Sequence, residues 1–459
     1  MRNQYLHNLK KHKFIILMVD LVIIGLAYVL SFSLRYSEIP QRNWDSFLAL
    51  LPWILLIGLF FLSIYELYQL ERKTNWDIVT GVCVAVTFMA FLTMASSFLF
   101  REFALPRSII LIASLFMILV LILWKISYRS LVFNRKLSSV LLVGTDDEVK
   151  KVISHLKHPL LRATKIKHVQ PNTSIEKIDD LLKNVDYVFI CPSISKEKKS
   201  EIIYHTIEAD KIVYVIPTLY ELLMTRATIT SLDDTMVMSV QPFGLTWDQQ
   251  LIKRIFDIVL STVLIVLLSP LLFLVAILIK LEDPKGSIIY KQRRIGLHNK
   301  EFTVYKFRSM IEGAEDKTGP TLAAKNDERI TKVGKVIRAM RLDELPQLYN
   351  VLKGDMSIVG PRPERPVFTK ELSRKYNNYS YRSTVKPGIT GFAQIMGKYT
   401  TDVEDKLRYD LYYIRNYSLW LDLIILLRTI IVLLDKTKSE GEQLETRHIN
   451  YKQKEDISL

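Results

Sequence analysis

Four stretches of the chain, Phe14–Leu34, Phe47–Leu67, Ile78–Phe100 and Ser108–Tyr128, are almost unbroken apolar runs. Each can cover the hydrocarbon core of a bilayer, which takes about 20 helical residues. Lipid offers backbone N–H and C=O groups no partner, so runs of this kind must be helices. Residues 1–136 are therefore predicted to be a four-helix transmembrane bundle. Arg2, Lys10, Lys11 and Lys13 precede the first run, and Lys125, Arg129, Arg135 and Lys136 mark the end of the last. Positive charge collects on the cytoplasmic side, which predicts a cytoplasmic N-terminus, two short external loops and a cytoplasmic continuation. No small-residue cleavage site follows the first run, so it reads as an uncleaved anchor. Asp20, inside that run, is a candidate for a polar contact between helices without a catalytic role.

The formal net charge is +15, which suits anionic lipid, nucleic acid or phosphate-bearing substrates. Zinc-finger spacing and RNA-binding signatures are both missing, which argues against nucleic acid. The two cysteines, Cys83 and Cys191, provide neither a disulfide framework nor a metal cluster.

From residue 137 to 224 the pattern changes. SSVLLVG reads as a strand ending at Gly144, Asp146–Lys157 as a helix, and DYVFIC and KIVYVIP as two further buried strands. Alternating strands and helices predict a Rossmann-like α/β domain. A dinucleotide site needs glycines after the first strand so that backbone can approach pyrophosphate. Here the turn is Gly144-Thr145-Asp146-Asp147-Glu148, with acids where phosphate would sit. The cofactor site thus reads as degenerate, leaving a structural, oligomerising or regulatory role, and homo-oligomerisation is one expectation for the chain. Residues 225–250 read as a linker.

Ile255–Ile279 is a fifth apolar run, interrupted at Ser269-Pro270. Proline removes the bond to the Val266 carbonyl and kinks a helix, and a nearby serine hydroxyl can satisfy the freed group. Both flanks are basic: Lys253 and Arg254 before; Lys280, Lys285, Lys291, Arg293 and Arg294 after. A span would put one group outside, against the charge rule. A re-entrant helix that bends at Pro270 keeps both cytoplasmic.

The remainder, within residues 251–435, is predicted to be mostly helical. Lys285–Arg308 is rich in lysine and arginine and interleaved with aromatics, a surface for phosphates or anionic lipid. Residues Glu312–Lys325 read as a mobile loop, and Asp327-Glu328-Arg329 as the opening of the next helix. Then comes RAMRLDELPQLYNVLKGDMSIVGPRP, from Arg338 to Pro363. The acidic pair Asp343-Glu344 precedes Pro346 and apolar positions at helical spacing, which predicts a pair at a helix N-terminus, with Gly354 ending that helix. Two carboxylates, Arg338, Arg341 and Arg362, and a stiff Gly-Pro-Arg-Pro loop suit a magnesium-bound diphosphate. Mg²⁺ takes oxygen ligands and shares substrate phosphate, and guanidinium forks match phosphate oxygens. Ser418–Leu434 is strongly apolar but carries Asp422 and Arg428, which favours an interfacial helix. Residues 436–459 read as a polar tail.

RLDELPQLYNVLKGDMSIVGPRP resembles the signature of the monotopic phosphoglycosyl transferases, in their long three-part form. The resemblance extends to KRIFDIVLS at Lys253, YKFRSM at Tyr305 and KPGITGFAQIMG at Lys386. It implies a bacterial cytoplasmic-membrane enzyme that moves a hexose 1-phosphate from a UDP-sugar to undecaprenyl phosphate and releases UMP. Such a step primes capsule, exopolysaccharide or O-antigen synthesis. Carried onto this chain, the motif implies Asp343 as nucleophile and Glu344 as its magnesium-binding partner. Arg338, Arg341, Arg362, Lys306 and Arg308 become phosphate contacts, and Arg254 and Asp257 anchors of the re-entrant helix. Two other readings stand beside it. One is direct transfer without a covalent intermediate, and the other a non-enzymatic membrane scaffold. No residue names the sugar; glucose and galactose are the expectations.

Overall fold

A computed structural model describes residues 4–133, 138–155, 163–314, 327–376, 378–397 and 401–434. Most of the loop expected at Glu312–Lys325 and the polar tail lie outside the described residues. The described residues fall into two compact units, one within Met1–Pro217 and the other within Thr218–Ile449.

In the first unit the four apolar runs form α1 (Gln4–Arg35), α2 (Gln41–Ile64), α3 (Asn75–Leu99) and α4 (Arg107–Phe133). All four are long and apolar enough to cross a membrane. Thr74 and Asp77 form a reciprocal capping box that starts α3. Asp20 of α1 is fully buried and meets the equally buried Lys125 of α4 at 2.6 Å. The Lys125 ammonium also donates to the Leu67 carbonyl at 3.1 Å, tying the α2–α3 connection to the same point. The expected interhelical contact is thus an ion pair.

The unit continues with β1 (Ser138–Val143), α5 (Asp146–His155), β2 (Ala163–Val169), α6 (Ile175–Leu182), β3 (Tyr187–Ile190), α7 (Lys196–Glu208) and β4 (Ile212–Val215). The four strands are parallel, in the order β2-β1-β3-β4. The sequence pattern predicted only three of them. The fourth, β2, is an edge strand whose Lys165 and Lys167 alternate with apolar residues, a weak signal that an edge tolerates. The order reverses between β1 and β3, the place where such sheets take ligands. Glu148 lies there. Its carboxylate accepts from the Thr145 N–H at 3.2 Å, from the Ser193 N–H at 3.1 Å and from the Ser193 hydroxyl. The amides that could face a phosphate are taken by the chain's own acid.

The second unit opens with α8 (Leu219–Met224), whose Leu222 is buried in that unit's core. Residues 225–250 are not a plain linker. They hold the hairpin β5 (Thr228–Leu232) and β6 (Thr235–Ser239), turned at Asp233, and the first residues of α9 (Trp247–Glu282). The basic stretch after α9 is a second antiparallel hairpin, β7 (Ile289–Ile295) and β8 (Glu301–Phe307). Its charged residues masked the strand period. Then follow α10 (Lys332–Ala339), α11 (Gln347–Lys353), β9 (Ser357–Val359), α12 (Pro366–Lys375), β10 (Gly388–Thr390), α13 (Phe392–Met396), α14 (Val403–Arg415) and α15 (Leu419–Leu434). Asp327–Arg329 does not open α10. Thr331 caps it, and Arg329 instead closes on Asp327 at 2.6 Å.

Helix α9 stays helical through Pro270, and the Ser269 hydroxyl donates to the Val266 carbonyl at 2.8 Å, taking the bond that proline cannot make. A straight helix of this length would separate its ends by roughly 54 Å. Both ends nevertheless pack on the same unit. At the N-terminal end Lys253 pairs with Asp422 at 2.6 Å, and Arg254 donates to the Val351 and Leu352 carbonyls at 2.6 and 2.7 Å. Asp257 there accepts from the Ser357 hydroxyl and the Ile358 N–H, both at 3.0 Å. At the C-terminal end Val275 and Ile279 pack with Phe307 and Ile337, and Glu282 accepts from the Lys332 and Val333 N–H groups. Between the anchored ends Val266, Leu267 and Phe273 are about seven-tenths exposed. Asp422 is thus not an interfacial group of α15 but a fully buried partner of Lys253, also bonded by the Tyr413 hydroxyl at 2.8 Å.

Removing one member of a buried ion pair strands the other, at about 3–5 kcal/mol. Asp20→Leu or Lys125→Leu alone should lower the unfolding midpoint of the detergent-solubilised protein. The double leucine variant should recover to the original value or above it.

Candidate active site

The acidic pair is built by a change of helix. Helix α10 ends at Ala339, and Arg341 then takes a left-handed backbone (φ 57°) that turns the chain into a single 3-10 turn, Leu342–Glu344. A non-glycine residue there costs roughly 1–2 kcal/mol, strain that tends to collect at working sites. The pair therefore lies one short turn before α11 rather than at its N-terminus, because Pro346 caps α11 and Gln347 begins it. Gly354 (φ 96°) closes α11 in the left-handed region, where glycine has no Cβ to clash.

Glu344 points inward and is clamped. Lys306 Nζ lies 2.8 Å and Arg362 Nη2 2.7 Å from Oε1; Arg362 Nη1 lies 3.4 Å from Oε2. Burial alone would push this carboxyl up. The Arg362 and Lys306 cations outweigh burial and hold it well below the usual carboxylate range. Asp343 is held oppositely. Burial raises its carboxyl, the neighbouring Glu344 charge adds to this, and Lys306, Arg338 and Arg341 pull only partly against it. Among the described residues its Oδ1 is buried without a hydrogen-bond partner.

The cations arrive by separate routes. In β8, alternation puts Lys306 on the same face as the core residue Val304, so the ammonium is drawn into low dielectric, where burial lowers it and Glu344 raises it. Asn350 of α11 fixes that strand. Its Oδ1 accepts from the Tyr305 N–H at 3.0 Å, and its Nδ2 donates to the Thr303 carbonyl at 2.7 Å. Sequence reading passed over Asn350; a fully buried amide between the acidic pair and Gly354 was the available signal. Arg362 comes from the loop between β9 and α12. Strands β9 and β10 cross so closely that a Cβ on Gly388 would lie 2.0 Å from the Gly360 nitrogen, which accounts for the glycines of KPGITG.

Arg338 and Arg341 stand near enough to Asp343 to act on its charge, yet neither guanidinium has a hydrogen bond or ion pair among the described residues. Arg308 is elsewhere. Its guanidinium pairs with Asp283 at 2.8 Å, at the C-terminal end of α9, so it is not brought to the carboxylates. Arg254, Asp257, Ser269 and Pro270 likewise belong to α9 and its anchoring contacts.

A divalent cation with oxygen ligands fits the pair. Among the described residues Asp343 Oδ1 has unused lone pairs in a buried place, and Glu344 Oε2 carries only the longer Arg362 contact. Among the described residues no cluster of three or more metal-ligating side chains exists. Substrate oxygens and water would have to complete the shell, as Mg²⁺ accepts.

Linkage gives the two acids opposite signs. Glu344 contributes stability that is present above its unfolded value and lost as pH falls through its lowered folded one. Asp343 costs stability once pH rises past its unfolded value towards its raised folded one. Difference infrared titration, with Asp343→Asn to identify the band, should find Asp343 protonating above an ordinary aspartate. Glu344→Gln removes a like charge and should move that band to lower pH; an upward move would contradict this electrostatic account.

The family described as bacterial sugar transferase matches residues 248–436, which contain α9 from its second residue on, both carboxylates and Arg254, Lys306, Arg308, Arg338, Arg341 and Arg362. The chain is 45% identical over 221 residues to the UDP-N-acetylgalactosamine-undecaprenyl-phosphate N-acetylgalactosaminephosphotransferase of Aeromonas hydrophila, covering 48% of this chain and 51% of that protein. It is 40% identical over 223 residues to the UDP-glucose:undecaprenyl-phosphate glucose-1-phosphate transferase of Escherichia coli (strain K12), covering 48% of each. With the enzyme of the same name from Caulobacter vibrioides (strain ATCC 19089 / CIP 103742 / CB 15) it shares 43% over 183 residues, 39% of this chain and 68% of that one. The matched part thus spans about half the length of the first two relatives. The chain belongs to the bacterial sugar transferase family.

Proposed function

We propose that the chain transfers a sugar 1-phosphate from a UDP-sugar to undecaprenyl phosphate at the cytoplasmic face of the membrane. The observation that carries this reading is the buried Oδ1 of Asp343, without a hydrogen-bond partner among the described residues, beside a Glu344 held ionised by Lys306 and Arg362. Relatives named for transfer of glucose, galactose and N-acetylgalactosamine phosphate support the reaction class and leave the sugar to be screened.

Asp343 Oδ1 attacks the sugar-bearing β-phosphorus of the donor. A phosphorus–oxygen bond forms to aspartate, the bond to the bridging oxygen breaks, and UMP leaves with that electron pair. An oxygen of the lipid phosphate then attacks the same phosphorus and breaks the aspartyl bond, which regenerates Asp343. Covalent catalysis divides one difficult transfer into two. Anion meets anion in both steps, so charge neutralisation dominates. Arg338 and Arg341, whose guanidinia have no hydrogen bond or ion pair among the described residues, are the groups left to bind donor phosphates. Mg²⁺ held by Glu344 and Asp343, when bound, would supply further neutralisation of phosphate charge. Glu344, locked by its two cations, keeps its charge while Asp343 reacts.

Asp343→Asn should abolish transfer in a folded protein, and Glu344→Gln should reduce it by about a hundredfold or more, the scale of losing an electrostatic group. Donor without acceptor should add the mass of one sugar phosphate to the Asp343 peptide. Full turnover with no adduct on rapid quenching would favour direct transfer. A screen with UDP-glucose, UDP-galactose and UDP-N-acetylgalactosamine, read as UMP release, identifies the sugar.

Helix α9 is read as re-entrant. Its two ends pack on one unit while its apolar middle is left exposed, and both flanks are basic. Single cysteines at Gln250 and Lys285, with Cys83 and Cys191 replaced, should both resist an impermeant thiol reagent in intact cells and react after permeabilisation. Labelling of Lys285→Cys alone from outside would instead make α9 a span.

A further inference from the structure

The loop that carries Arg362 cannot hold itself. Pro361 and Pro363 bring no N–H, so Gly360-Pro361-Arg362-Pro363-Glu364 has few donors with which to close a turn of its own. Its carbonyls are taken from outside. The Arg362 carbonyl accepts from Arg382 Nη2 at 2.9 Å, the Pro363 carbonyl from Arg294 Nη1 at 3.1 Å, and the Glu364 carbonyl from the Ile295 N–H at 2.9 Å. Two of these three donors are arginine side chains, and the one on residue 362 itself is Arg382.

Arg382 is in turn fixed on every side. It lies in the 3-10 helix Tyr379–Thr384; its Nε and Nη2 donate to Asp410 Oδ2 of α14 at 3.1 and 2.8 Å, and its Nη1 donates to the Tyr379 hydroxyl at 2.6 Å. Its guanidinium also stands 5.0 Å from the Tyr379 ring centre. Both partners of the ion pair are nearly closed off from solvent, with side chains 11% and 4% exposed. A buried pair of this kind gains little net stability over apolar packing, so its place in the fold invites a positional explanation. The contacts run in one line: Asp410 orients Arg382, Arg382 holds the backbone of Arg362, and the Arg362 guanidinium clamps Glu344.

We propose that Arg382, oriented by Asp410, is a positioning residue that sets the Arg362 clamp on Glu344. This rests on the reading of Glu344 as part of the reacting centre. The pair touches neither carboxylate of the acidic turn and acts through the Arg362 carbonyl. It differs from Asn350, which serves the other cation, Lys306.

The test uses the full-length protein in detergent or nanodiscs, with UDP-sugar and undecaprenyl phosphate. Arg382→Gln alone would leave Asp410 buried without its cation and risks misfolding. Arg382→Gln with Asp410→Asn removes both charges together and keeps hydrogen-bonding groups in place. In this double variant kcat should fall by about tenfold or more, and in an Arg362→Lys background the same two changes should cost less than about threefold, the non-additivity of coupled residues. Hydrogen exchange of the Ile295 and Gly388 amides, which donate to the Glu364 and Pro361 carbonyls of this loop, should quicken by about tenfold while the α14 amides keep their protection. Equal losses in both backgrounds with unchanged loop exchange would overturn the proposal and leave the pair a structural element. If the unaltered protein transfers no sugar phosphate, the functional reading fails by itself. The exchange result then decides whether Arg382 positions the loop: unchanged loop exchange in the double variant overturns that as well.

Discussion

A carboxylate buried without water must be given cations, and Glu344 is the point where that requirement organises the second unit. Lys306 reaches it from a hairpin, Arg362 from a proline-stiffened loop, and the acid itself comes from a strained turn between two helices. Each supplier has its own fastening: Asn350 for the hairpin, Arg382 and Arg294 for the loop, the left-handed Arg341 for the turn. The result is an asymmetric pair. One acid is driven to remain charged, and its neighbour is raised by burial and by that very charge. Two carboxyl groups pushed in opposite directions are suited to different tasks.

Helix α9, long and apolar enough to cross a membrane, is fastened at both ends to the unit that holds this site. Its N-terminal half is pinned by Lys253, Arg254 and Asp257, and its C-terminal half by apolar packing and by Glu282 at the start of α10. Polar anchoring dominates one end and apolar contact the other. The Arg254 guanidinium takes the Val351 and Leu352 carbonyls of α11, the helix that follows the acidic turn, so the apolar helix and the site share a backbone segment. Ser269 satisfies the carbonyl that Pro270 releases, which lets an apolar helix continue through a proline at low cost.

In the α/β part of the first unit, the turn after β1 closes on Glu148. Glu148 supplies the anion that its loop amides would otherwise seek. In the bundle, the Asp20–Lys125 pair joins the first and last helices with a contact that lipid cannot replace.

The amino-acid sequence alone determined the helices and the chemistry-bearing set. Apolar runs, the Ser-Pro interruption, Gly354 at the end of α11 and the Asp343-Glu344 pair with its arginines are all local patterns, because periodicity and backbone preference act over a few residues. Residues 285–308 and 228–239 escaped that reading, since charge and exposed apolar groups hid the strand period in two hairpins. Tertiary structure decided partnership. It sent Arg308 to Asp283 and Lys306 to Glu344, though both cations lie in YKFRSM. It buried Asp422 against Lys253, 169 residues away in the chain, where hydropathy had placed an interfacial acid. It also put Arg382 behind Arg362. Which charge meets which depends on folding distant segments into one low-dielectric place, and no local pattern in the sequence encodes that meeting.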